Sequence, residues 1–192
     1  MKRIVIFASG SGTNAENIIK YFHEQNIAEV THVFSNNLHA KVLKRAHDLK
    51  VKALHFDADS FYNTNDVLNI LKDANPDLIV LAGFLWIFPK KIIDVFPNKV
   101  INIHPALLPK YGGKGMYGRH VHEAVVRNQE KESGITIHYV NEHYDEGAII
   151  FQAKTAIHKE DSAEDVAKAI HELEYKYFPA VIEKVLGLRD DG

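Results

Sequence analysis

The stretch Asn98-Lys99-Val100-Ile101-Asn102-Ile103-His104-Pro105-Ala106-Leu107-Leu108-Pro109 decides how this chain folds. Val100 and Ile101 are β-branched and open a strand, and the two prolines stop it. Lys110 to Gly118 follows with four glycines in nine residues and reads as a mobile loop. On a strand, residues i and i+2 face the same side. The Asn102 carboxamide and the His104 imidazole therefore point together at the carboxyl end of a strand, where open α/β sheets bind their ligands. Taken singly, an Asn before a turn and a His at a strand end are also ordinary turn-forming and solvated residues.

Working outward toward the N-terminus, Leu78–Gly83 is a fully apolar strand opened by Pro76-Asp77. Phe84 to Phe88 follows it, five large apolar residues that include the sole Trp, Trp86. Such a cluster is either local core packing or the wall of a pocket for a flat heterocycle. Pro89–Phe96 is a short helix leading into the Asn102–His104 strand. Ile4–Ala8 is a strand buried on both faces. It ends in Gly10-Ser11-Gly12-Thr13-Asn14, which feeds a helix over Ala15–Gln25 with Ile18, Ile19 and Phe22 as its apolar stripe. This turn lacks the Gly-Lys-Ser/Thr of a P-loop and the third glycine of a dinucleotide fingerprint. A tight βα turn and an anion cradle at a helix N-terminus explain it equally well.

Glu29–Ser35 and Val51–Phe56 are further strands. His39–Lys50 and a segment from Asn63 or Asn65 to Ala74 are helices, with Val42, Leu43, Ala46, Leu49 and Val67, Ile70, Leu71 inward. The alternation predicts a Rossmann-like α/β fold: a mostly parallel twisted sheet with helices on both faces. With strand order 3-2-1-4-5, the switch point falls between the first and fourth strands. The Gly10–Asn14 turn and the ends at Gly83 and His104 then line one crevice.

Toward the C-terminus, Arg119–Asn128 is a helix with Val121, Ala124 and Val125 packed. His120 and His122 lie on different helix faces and do not extend to an H-E-x-x-H motif, so no metal site is read there. Gly134–Val140 and Ala148–Ala153 are strands joined by an acidic turn, which predicts an antiparallel edge hairpin. Asp145 in that turn is either solvated or faces the His104 strand. The last helix spans Ser162–Leu186. It has a Ser162/Asp165 capping box, a stripe of Val166, Ile170, Leu173, Tyr177 and Val181, and a kink at Pro179.

Composition narrows the function. The 192 residues suit one domain, residues 1–192. A formal net charge of −2 offers no field for nucleic acid or anionic membrane. The absence of cysteine excludes a disulfide scaffold, a Cys-ligated metal and a thiol nucleophile. The N-terminal apolar run is too short for a signal peptide or a membrane span, so a cytoplasmic protein is expected.

The string N-I-H-P-A-L-L-P-K-Y resembles the N-I-H-P-S-L-L-P-x-Y signature of the folate-dependent formyltransferases. Four more motifs follow the same family in the same order: G-S-G-T-N, V-F-S-N, L-A-G-F and D-E-G-A-I-I-F-Q-A. The likeness runs from Lys2 to about Leu186 and is nearest to the branch that formylates glycinamide ribonucleotide (GAR).

The resemblance implies a formyltransferase fold and a reaction in purine (IMP) synthesis, with 10-formyltetrahydrofolate as co-substrate. The GAR amine attacks the formyl carbon; no covalent enzyme intermediate and no metal are needed. It implies Asn102, His104 and Asp145 as catalytic residues. Asn102 donates to the oxyanion, His104 stabilises it and acts as acid toward the leaving nitrogen, and Asp145 holds the imidazolium. It implies Gly12, Thr13 and Asn14 for the GAR phosphate and Glu174 for the ribosylglycinamide. It implies Leu85, Trp86, Ile87, Phe88, Asn102, Asn141, Glu142, His143 and Tyr144 for the folate.

The chain departs from the family in its glycine-rich Gly112–Gly118 loop, a candidate lid in which no residue is assigned. It also departs at Tyr62-Asn63-Thr64-Asn65, where some relatives place an Arg near the folate tail. Expected partners are small molecules, with no nucleic acid or membrane, in a monomer or homodimer. Rival readings are methionyl-tRNA formyltransferase, formyltetrahydrofolate hydrolase, a sugar N-formyltransferase, or a non-catalytic nucleotide-binding module. The first normally carries an added C-terminal domain and the second an N-terminal regulatory one.

Overall fold

A computed structural model describes residues 1–189. Its centre is one seven-stranded sheet. In chain order the strands are β1 (Lys2–Phe7), β2 (Ala28–Ser35), β3 (Lys52–His55), β4 (Leu78–Leu81), β5 (Val100–His104), β6 (Glu132–Tyr139) and β7 (Ile149–Ala156). In space they run β3-β2-β1-β4-β5-β6-β7. The first five are parallel to one another, and β6 and β7 complete the sheet as an antiparallel pair. β1 and β4 are neighbours, so the switch point lies between them as the strand–helix alternation predicts.

The helices are α1 (Thr13–Gln25), α2 (Lys41–Asp48), α3 (Asp66–Ala74), α4 (Lys90–Val95), α5 (Arg119–Arg127) and α6 (Ala163–Val185). They cover both faces because the central strands are apolar on both. Along β1, Ile4, Ile6 and Ala8 join a core with α1, α2, α5 and α6, whereas Val5 and Phe7 join a second core with α3 and α4. That alternation is the two-residue period of a strand made visible in packing.

On β5 and β6 the apolar residues Ile101, Ile103, Ile135 and Ile137 all face the α6 side. The opposite face carries Asn102, His104, Thr136 and His138, in cross-strand pairs Asn102–His138 and His104–Thr136. Of the β5 residues, only Val100 joins the core under α3 and α4. A polar patch is thus left under the loops that follow β5 and β6.

Several elements differ from the expected ones. Residues Asp59–Asn63 form a single π-helical turn, so of the two expected starts it is Asn65 that stands at the head of α3, whose first residue is Asp66. The buried stripe of α6 is Val166, Ile170, Glu174, Phe178 and Ile182, while Leu173 and Tyr177 are only half-buried. The helix runs on through Pro179, which has no N–H for the Tyr175 carbonyl. Asn17 of α1 donates to that carbonyl at 3.1 Å instead. The Ser162/Asp165 capping box is present in full. None of the described helices is long and apolar enough to cross a membrane.

Candidate active site

The carboxyl ends of β1, β4 and β5 open into a cavity of about 630 Å³, a size that suits a small-molecule ligand. Its floor is assembled from distant segments by named hydrogen bonds. Ser9, at the end of β1, donates through Oγ to Asn36 Oδ1 at 2.7 Å and accepts from the Leu85 N–H at 2.9 Å. It thereby ties the V-F-S-N and L-A-G-F segments to the first turn. Gly12 enters α1 with φ +74, and a Cβ there would lie 2.3 Å from Val42 Cγ2. Glycine is needed at this position so that α2 can pack against the turn. Arg45 of α2 donates to the Ser11 carbonyl at 2.8 Å and pairs with Glu16. The leading N–H groups of α1 have no helical acceptor, and Gly12, Thr13 and Asn14 line the cavity.

Asn14 reaches across to α6, where its Nδ2 donates to Glu174 Oε2 at 2.9 Å. Glu174 is 7% exposed. Burial raises its carboxyl to about 7, against the pull of the Asn14 hydrogen bond. The α6 and α5 walls also bring His171 and His122 to the cavity. His122 is 4% exposed, and burial, followed by its histidine neighbours, lowers it to about 4. It is a neutral ring at physiological pH. Among the described residues, no three His, Cys, Asp or Glu side chains are placed to hold a metal ion.

The polar centre lies on the β5–β6 patch. His104 Nδ1 stands 3.5 Å from Asp145 Oδ1, although the two are far apart in sequence. His104 Nε2 donates to the Tyr111 carbonyl at 2.7 Å. Both ring nitrogens therefore face protein acceptors, and donation to a ligand requires the release of one. Asp145 is held by the Gly113 N–H at 3.0 Å on its other oxygen. Asn102 Nδ2 donates to His138 Nε2 at 3.1 Å.

The segment after His104 is pinned from β6 and β7. Thr136 Oγ donates to the Ala106 carbonyl at 2.7 Å and accepts from the Leu108 N–H at 3.0 Å. Gln152 donates to the Leu108 carbonyl at 3.1 Å. Thr136 and Gln152 in the G-I-T-I-H and I-I-F-Q-A strings thus hold the loop that carries the site.

Of the residues named from the sequence, Gly12, Thr13, Asn14, Leu85, Asn102, His104, Tyr144, Asp145 and Glu174 line this one cavity. Trp86, Ile87 and Phe88 do not. Phe88 is buried in the second core at 5.1 Å from the Phe7 ring, and Trp86 packs edge-on to Phe56. Ile87 gives its carbonyl to the Tyr62 hydroxyl at 2.8 Å. Asn141 turns its side chain onto the His143 N–H, and Glu142 and His143 are exposed outside the cavity. Sequence reading passed over His138, His171 and Lys114, and took up His122 only to set aside a metal role. Lys114 lines the cavity from the glycine-rich loop, between Gly113 and Gly115, both at positive φ. It makes no ion pair among the described residues. Its position between two glycines is the only signal the sequence offers.

The sequence pattern of the family described as "Formyl transferase" matches residues 2–182. The Haemophilus influenzae protein named phosphoribosylglycinamide formyltransferase is 39% identical over 188 residues, covering 95% of this chain and 86% of its own length. The Bacillus subtilis protein of the same name is 34% identical over 197 residues, covering 100% of this chain and 98% of its own length. The crystal structure of glycinamide ribonucleotide transformylase 1 from Symbiobacterium toebii matches with a TM-score of 0.89 at 32% identity. That match covers 98% of this chain and 89% of that one.

Proposed function

This chain belongs to the formyl transferase family, and on that premise we propose that it is a phosphoribosylglycinamide formyltransferase of de novo purine (IMP) synthesis. It carries the formyl group of 10-formyltetrahydrofolate to the amine of GAR. One observation supports this most. Asn102 and His104 on β5 and Asp145 in the β6–β7 connection share one cavity with the Gly12–Asn14 turn and Glu174. A phosphate at one end and an acyl-transfer centre at the other suit a substrate that has both a phosphate and an amine. The whole chain is read as one functional unit acting on small molecules.

The residues divide the work as follows. The first-turn N–H groups of α1 receive the phosphate, and the helix dipole favours its charge. Glu174 receives ribose hydroxyls in the interior. Attack of the amine on the formyl carbon forms a C–N bond and moves an electron pair onto the formyl oxygen. The Asn102 amide donates to that oxygen. As the tetrahedral species collapses, the bond to the folate nitrogen breaks; His104, released from one of its protein acceptors, supplies the proton that nitrogen needs, and the proton shed by the attacking amine returns to the imidazole, so no net proton is gained or lost. Asp145 steadies the imidazolium. Leu85 and Tyr144 line the donor end. Trp86, Ile87 and Phe88 support that wall from behind, and Asn141, Glu142 and His143 form the turn that carries Tyr144 and Asp145.

The test is to mix purified protein with GAR and a 10-formyl folate analogue and follow folate absorbance. A change that requires GAR is expected. A change without GAR would indicate a hydrolase, and no change would indicate a binding module.

A further inference from the structure

His138 is 2% exposed and sits opposite Asn102 across the β5–β6 pairing. Its two ring nitrogens have different partners. Nδ1 lies 2.9 Å from the Tyr139 carbonyl, which can only accept. Nδ1 must therefore carry the proton. In the neutral ring Nε2 is then an acceptor, and its partner at 3.1 Å is the Asn102 carboxamide. An acceptor there selects the amide nitrogen of Asn102 over its oxygen. We propose that His138 is a positioning residue: it fixes the Asn102 carboxamide so that an N–H, not the carbonyl oxygen, is presented to the reacting formyl oxygen.

The two orientations of a carboxamide have the same shape and differ by a half-turn. Shape alone cannot choose between them, and only one can stabilise an oxyanion. With one N–H taken by His138, the second remains for the cavity that Asn102 lines. The groups facing His138 are Asp145, 3.8 Å from Nε2, and His104 on β5. Behind it stands Gly147, where a Cβ would come within 1.6 Å of the Tyr139 carbonyl oxygen and 3.4 Å of Nδ1. The absence of a side chain at residue 147 thus preserves the bond that sets the tautomer. Burial lowers the proton affinity of the His138 ring, outweighing the Tyr139 carbonyl and Asp145, which keeps the ring neutral.

The inference rests on the formyl-transfer reading, and its test separates the two. His138→Leu and His138→Gln are made in the wild-type and in the Asn102→Ala backgrounds. In the wild-type background, Leu is expected to lower kcat by roughly tenfold or more while both KM values stay within about twofold. Gln, which can place an acceptor near the position of Nε2, should recover most of that loss. In the Asn102→Ala background His138→Leu should cost under about twofold, because its effect passes through Asn102.

Equal losses in both backgrounds, an unaffected His138→Leu, or a Gln variant as poor as Leu would overturn the inference. Should His138→Leu fail to fold, imidazole nitrogen NMR on the intact protein decides, with the Nδ1–H neutral form expected. An Nε2–H form or an imidazolium at neutral pH would overturn it. Wild-type protein with no GAR-dependent transfer would defeat the reading itself, and the NMR result would still judge the tautomer.

Discussion

Glu174 keeps a carboxyl group where a carboxylate is costly. Its folded proton affinity, near pH 7, lies above the ordinary 4.5. Between those values the unfolded chain releases the proton first, so the native state loses stability as pH rises through that window. The shift corresponds to roughly 3 kcal/mol at most. Glu174→Gln should therefore unfold later than wild type near pH 8 and together with it near pH 4, while raising the KM for GAR. Urea unfolding at the two pH values measures this, and a pH-independent difference would contradict the burial argument. Gly12 carries a different lesson. A side chain there would meet Val42 before it met any ligand, so Gly12 substitutions report on folding rather than on phosphate binding.

At this scale the sequence was partly legible. Asn102 and His104 share a face because strands have period two. His138 stayed hidden because only the β5–β6 register places it beside Asn102. Glu174 stayed hidden as a buried group because Leu173 and Tyr177 are the apolar residues of that turn, yet they face partly outward.

The elements are held by local chemistry that can be tested one piece at a time. Ser162→Ala removes half of the α6 capping box and should cost about 1 kcal/mol in thermal or urea unfolding. Asn17→Ala removes the donor that serves the carbonyl orphaned by Pro179. That site is exposed, so water can replace the donor and the cost should stay below about 1 kcal/mol. A larger loss for Asn17→Ala than for Ser162→Ala would contradict this ranking.

The glycine-rich loop belongs to the same scale. Lys114 is the one lysine or arginine among the described residues lining the cavity. Lys114→Met is expected to raise the GAR KM by roughly tenfold and leave the folate KM unchanged. Equal effects on both would mean that the loop acts on closure alone. Most helices and strands were readable from periodicity and caps. The π-turn at Asp59–Asn63 was not, because it packs Phe61 into the Phe7 and Phe56 cluster by tertiary contacts that local pattern does not encode.

At the scale of the whole molecule, two cores on opposite faces of one sheet hold the ends of β1, β4 and β5 together. The strand order was predictable because continuous apolar runs such as Ile4–Ala8 and Leu78–Leu81 must be covered on both sides, which places them centrally. The loops over β5–β6 were not predictable in detail, since their course is set by Thr136, Gln152 and Gly113 reaching across strands. The consequence of the fold is that His104 and Asp145, unremarkable alone, form a pair.

The rate of formyl transfer from the folate donor to GAR in wild type, His104→Ala, Asp145→Asn and the double variant tests that consequence most directly. Each single change is predicted to lower kcat by on the order of 10²-fold with both ligands still bound, and the double variant to lose far less than the product. Near-wild-type kcat in Asp145→Asn, or strictly multiplicative losses, would show that Asp145 is only a residue of the turn.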